Sequence, residues 1–89
     1  MNKSRRKELN EWIKRANEWI AQGIEIRSRL ESLCSDEENY FDNMPENLQN
    51  SFNGTNSEEA IEAMNEAIEC VDSAIDSAEE AGSCIEDII

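Results

Sequence analysis

"DEENYFDNMPENLQNS", residues 36–51, is the one stretch of the chain that does not share the seven-residue beat running on either side of it. Its reading decides the fold: either it is a loop within one long rod, or it is the turn at which the rod folds back on itself. Pro45 is the first clue. It disfavours a helical conformation at Met44, so a helix arriving from the N-terminal side must end there. Tyr40, Phe41 and Met44 still follow the apolar stripe of the preceding arm, which carries that helix to about residue 43. The "PENLQNSFNG" that follows reads as a loop or short helical turn, with Leu48 and Phe52 apolar enough to cap the end of a bundle.

Upstream, the first arm reads in sevens. One row holds Leu9, Ala16, Gly23 and Leu30. A second, three positions on, holds Trp12, Trp19, Ile26, Leu33 and Tyr40. A third, beside the second, holds Ile13, Ile20, Cys34 and Phe41, interrupted once by Arg27. A stripe this wide suits a helix in a bundle, and the strict seven-residue spacing favours a left-handed supercoil. Gly23 lies on the stripe, where it costs about 1 kcal/mol of helix propensity relative to alanine; close approach of a second helix is the role that position suggests. Trp12 and Trp19 share the stripe, so the core is their expected place rather than a nucleic-acid contact with Arg5, Arg6 and Arg15.

Downstream, the repeat is plainer. Ile61, Ile68, Ile75, Gly82 and Ile89 form one row; Met64, Val71, Ala78 and Ile85 a second; Ala60, Ala67, Ala74, Ala81 and Ile88 a third. Alanine beside isoleucine permits near helix packing and leaves room for bulky side chains. The helix start is expected at about residue 57, because "NGTNSEE" combines a glycine turn, Thr55 or Ser57 as N-cap, and Glu58 at capping-box spacing from Thr55.

Charge supports folding back. Of 8 basic and 21 acidic residues, residues 1–29 hold every base and residues 30–89 hold 17 acids and no base. Lys3, Arg5, Arg6 and Lys7 crowd a helix N-terminus, and Glu86 and Asp87 a C-terminus, both against the helix dipole. Set side by side in an antiparallel hairpin, the two ends neutralise each other. The expected architecture is therefore all-α: a single domain over 1–89, an antiparallel two-helix hairpin of coiled-coil type, with helices at about 5–43 and 57–88 and a loop at about 44–56. Two wide stripes cannot cover each other fully, so a dimeric four-helix bundle or a higher oligomer is expected. With the reversal near residue 49, facing positions have numbers summing to roughly 98. Cys34 then faces the region of Met64, and no two of the three cysteines meet; reduced thiols are expected.

The same central stretch carries a resemblance. Tyr40, Phe41, Asp42, Asn43, Met44, Pro45, Glu46, Asn47, Leu48, Gln49 and Ser51 resemble the aromatic-D-N-M/L-P-E-N/S-L-Q-x-S core of short, mostly uncharacterised acidic helical-hairpin proteins of phages and mobile elements of gut Firmicutes. The match spans roughly residues 30–81. Members often carry a charged residue soon after the serine, where this chain has Phe52-Asn53-Gly54. The resemblance implies a setting, an accessory protein of a phage or mobile element, and no activity.

Function classes narrow by exclusion. There is no histidine, no phosphate-binding glycine loop and no distinctive nucleophile, so no catalytic constellation assembles and a non-enzyme is expected. No metal or cofactor is implied: "DEENYFDN" lacks the glycine and terminal glutamate of a calcium-binding loop. No segment is apolar enough for a signal peptide or a membrane span, so a cytoplasmic place in the bacterial host cell is expected. The acidic part cannot bind DNA or anionic lipid, since phosphate contact needs lysine and arginine. It suits a basic protein surface. The expected function is a non-catalytic anti-defence inhibitor that engages a basic host protein through Glu62, Glu69, Asp72, Asp76, Glu79 and Glu80. A second contact is expected at the turn, through Asn39, Tyr40, Asn43, Glu46, Asn47 and Gln49, where amides and rings suit a flat polar ligand or a peptide edge. The alternatives are an oligomeric sponge for a nucleotide immune signal, built from the basic arm and the amide-rich turn, and a purely structural coiled-coil module.

Overall fold

Row by row, the apolar periodicity becomes helix. The computed structural model describes residues 1–89 as three helices and no strand: α1 (Lys3–Asp42), α2 (Glu46–Gln49) and α3 (Phe52–Glu86). α1 and α3 lie against each other as an antiparallel hairpin measuring 68 × 15 × 14 Å. The Arg27 Nη1–Asp72 Oδ1 contact (2.6 Å) and the Cys34 Sγ–Asn65 Oδ1 contact (3.6 Å) fix the register, with facing numbers summing to 99, next to the expected 98. No helix is long and apolar enough to cross a membrane.

α1 starts at Asn2, whose side-chain oxygen accepts from the Arg5 backbone N–H at 2.8 Å. It ends where Pro45 demands, with Asn43 as C-cap. Gln49 adds a donor just past that end: its Nε2 donates to the Phe41 and Met44 carbonyl oxygens at 3.2 and 3.3 Å, the former also accepting from the Met44 N–H. α3 starts at Phe52, ahead of the expected residue 57. Its N-cap is Ser51, whose hydroxyl accepts from the Gly54 N–H, and neither Thr55 nor Ser57 caps it. Gly54 is buried inside the helix rather than in a turn, because the Gln49 carbonyl of α2 presses against it; a Cβ there would collide with that backbone. Spacing alone points to Thr55 or Ser57, because close approach between α2 and α3 leaves no periodic mark.

The seam between α1 and α3 is narrower than the stripes. α1 buries the Leu9 row and the Ile13 row, Arg27 included, while α3 buries the Ile61 and Met64 rows, extended upstream by Gly54 and Ser57. Cys34 and Ile75 are the only hydrophobic side chains that are buried rather than half-buried or exposed. Gly23 meets Ile75 as expected: an added Cβ would stand 3.1 Å from Ile75 Cγ1. The second α1 row is not in the core. Trp12, Trp19, Ile26, Leu33 and Tyr40 are each about half exposed (49–54%). Two helices cover two rows of each other, and the third row lies further round the cylinder than a single partner reaches. Leu48 (47%) and Phe52 (80%) likewise remain exposed instead of plugging the turn end.

The terminal charges are neither level with each other nor ion-paired: with facing numbers summing to 99, Glu86 and Asp87 come opposite Ile13 and Trp12, and Lys3 to Lys7 extend past the end of α3. The two ion pairs of the molecule both involve Arg27, with Asp72 and with Glu31. Lys3, Arg5, Arg6 and Lys7 make none with Glu86 or Asp87, so the expected end-to-end pairing is absent.

Candidate interaction surface

α3 sorts its residues by angle with little ambiguity. Its ten acids all fall on three adjacent rows, and none on the other four. Glu62, Glu69, Asp76, Glu79 and Glu80 are exposed and carry no ion pair. Asp72 differs: it is half-buried and holds Arg27 across the seam, so it fastens α1 to α3 rather than standing free. The side-chain hydrogen bond and field of Asp72 push the Arg27 guanidinium pKa above its ordinary value, so Arg27 stays charged although it interrupts an apolar row.

The uncharged part of α3 has two halves. The Ile61 and Met64 rows face α1. The other two rows, Ala60-Ala67-Ala74-Ala81 and Ala63-Cys70-Ser77-Cys84, alternate at three- and four-residue spacing and form a strip of small side chains outside the seam. Cys70 and Cys84 are exposed on it, and no disulfide forms. In an antiparallel coiled coil the flanking rows of the two helices share a side. The Trp12 row of α1 thus lies level with the Ala60 row, Trp19 near the height of Ala81 and Leu33 near that of Ala67. One flank of the hairpin is consequently apolar for most of its length, bulky on α1 and small on α3. The Ala63 row was readable in the sequence at seven-residue spacing; what hides it is that its members differ chemically and share only small size.

At the turn, Asn39, Tyr40, Asn43, Glu46 and Asn47 are exposed, while Gln49 is half-buried and spends its amide on the end of α1. A cleft of about 110 Å³ lies there, lined by Tyr40, Met44, Leu48, Ser51 and Asn53; of the expected contact set only Tyr40 reaches it. Two shallow clefts sit at the opposite end, one of about 220 Å³ lined by Met1, Arg5, Glu8, Leu9 and Trp12, the other of about 420 Å³ lined by Glu11, Lys14, Arg15 and Glu18. Within one chain the cationic end and the amide-rich turn are therefore not brought together. Arg15 lies over the Trp12 ring, 5.1 Å from its centroid. Burial, and secondarily Glu38, raise the Cys34 thiol pKa and keep it protonated. No group of His, Cys, Asp and Glu side chains converges to hold a metal ion.

Comparison with known proteins finds no match to a family model, to a curated protein or to a solved structure. The function is read from the chain's own surface.

Proposed function

We propose that the protein is a non-catalytic binding module that engages a basic protein surface through the outer face of α3. The observation that carries this reading is the set of exposed carboxylates without an ion pair on α3, Glu62, Glu66, Glu69, Asp76, Glu79 and Glu80, with Asp72 alone on that helix tied to Arg27. Ten acids on one helix far exceed what solubility asks of so short a domain. A face of one sign steers a partner of the opposite sign and makes the association salt-sensitive. The chain works as a homo-oligomer, which would repeat the acidic face. Its setting is a phage or mobile element, and blocking a host defence protein is the role that fits an acidic decoy surface. A nucleotide ligand finds no favouring feature in the single chain, whose clefts are open and lie at opposite ends.

The test is capture from host lysate on immobilised protein at low and at high salt, comparing the natural chain with Glu62→Lys/Glu69→Lys/Asp76→Lys. These three sites touch neither the seam nor the turn. The expected result is a partner retained at low salt by the natural chain, released by salt and absent with the charge-reversed variant, while Tyr40→Ala/Asn43→Ala still binds. Binding that survives reversal and fails with the turn variant moves the contact to residues 39–50.

A further inference from the structure

The half-exposed Trp12 row and the small-residue strip of α3 are two unpartnered surfaces whose shapes are complementary. We propose that a second copy of this chain covers them: the Trp12 row of each copy lies in the partner's α3 strip, both turns point the same way, and the dimer is a closed four-helix bundle. The proposal rests on the reading that the chain self-associates, and adds the face, the orientation and the register.

Size is the first argument. Side chains of Trp, Ile, Leu and Tyr need small residues opposite them, and between Ala60 and Cys84 the two rows offer only small ones, Ile88 following at the level of Trp12. A chain cannot satisfy itself, because its own α1 meets its own α3 through other rows. A two-fold axis along the hairpin sets α1 of each copy over the partner's α3 at the same height, so Ile26 comes level with the partner's Ala74 and Leu33 with the partner's Ala67. Every bulky row is then used once, and the assembly closes.

Charge is the second argument. The alternative, with turns at opposite ends, stacks α3 on α3, sets the Glu59, Glu66 and Glu80 row of each copy along the same edge as its counterpart, and faces bulky rows with bulky rows. The same-end arrangement leaves the two acidic helices diagonal. It also turns Arg15 and Arg29, on the row beside Trp12, toward the partner's Glu66 and Glu80. Area is the third. Twenty-eight residues span about 42 Å at 1.5 Å per residue, over a hairpin 15 Å wide. Counted on both copies this is on the order of 1,200 Å², within the size class of specific interfaces.

The natural chain is tested first, by sedimentation equilibrium at tens of micromolar. The expected mass is twice 10.2 kDa; a monomer overturns both the dimer and the self-association it rests on. Ala67→Lys/Ala74→Lys fills the strip with good helix formers while lowering the net negative charge, so loss of the dimer with helicity retained reports packing and not repulsion. A dimer that survives the double substitution overturns this face and leaves self-association standing. Thiol labelling of the unaltered chain needs no variant: Cys70 and Cys84, exposed in one chain, become protected as concentration rises, and labelling independent of concentration overturns the proposal. For orientation, spin labels at Asn50→Cys, with Cys34→Ala, Cys70→Ser and Cys84→Ser, are expected to lie less than half the 68 Å hairpin length apart. A separation near that full length overturns the same-end arrangement.

Discussion

Gly54 and Gly82 sit on the same helix and respond to a methyl group in opposite ways. Nothing lies within 4 Å of where a Cβ of Gly82 would point, whereas at Gly54 the Gln49 backbone is in the way. Gly82→Ala is expected to stabilise the fold by about 1 kcal/mol, the helix-propensity difference alone. Gly54→Ala is expected to destabilise it by about 1–3 kcal/mol, the range for overpacking, by forcing α2 off α3. Urea midpoints for the two variants check both signs. Ser57 gives a further case: it is only 2% exposed, and its hydroxyl has no hydrogen-bond partner. A buried unpaired hydroxyl is a net cost, so Ser57→Ala is expected to gain about 1 kcal/mol, and a lower melting temperature for this variant would refute that account. At this scale the sequence was legible where a residue kept the period, as Gly23 did against Ile75. It was illegible where a contact from outside the period decided the matter. Gly54 resembles a turn residue until α2 is laid on it, and Gln49 resembles a surface amide until the end of α1 needs donors.

At the scale of the element, α3 is a helix held against its own charge. It carries ten acids and no base, and like charges four apart, such as Glu58 with Glu62 and Asp72 with Asp76, disfavour the isolated helix. Only Asp72 has a cation across the seam. Raising salt from low to physiological ionic strength shortens the Debye length to about 8 Å. It screens this repulsion more than it weakens one partly exposed Arg27–Asp72 pair. The melting temperature is therefore expected to rise with added sodium chloride, and a fall would mean that attractive pairs outweigh the repulsion. The two long helices and their antiparallel pairing were legible because apolar periodicity and Pro45 both report on backbone geometry. Which rows form the seam was not. Three apolar rows were present on each arm, and a hairpin uses two; choosing them depends on how the partner helix is rotated, which no single arm encodes. The terminal cations are a like case: the register of the seam carries Lys3 to Lys7 past the end of α3, so they form no ion pairs with Glu86 or Asp87.

For the whole molecule, a Cα radius of gyration of 20.0 Å in 89 residues contrasts with the ~13 Å of a compact chain of about 100 residues. A rod this thin has little interior, and Cys34 and Ile75 are its only buried hydrophobic side chains. Conformational entropy opposes folding by about 1–2 kcal/mol for each ordered backbone residue, and one seam of mostly half-buried side chains is poorly placed to offset that. The proposed association would remove the difficulty, because a bundle would cover the Trp12 row and the small strip at the same time. Folding and assembly should then be coupled, and a coupled equilibrium depends on protein concentration. The urea midpoint is expected to climb as the chain is raised from the low micromolar to the high micromolar range, with circular dichroism and Trp12 and Trp19 fluorescence moving together. Both tryptophans should be wet in the dilute chain and dry in the assembled one, so their emission should shift to the blue over the same range. A midpoint that holds constant, with emission unmoved, would mean that the single hairpin is stable alone. The apolar flank would then be free, at every concentration, for a partner of another kind.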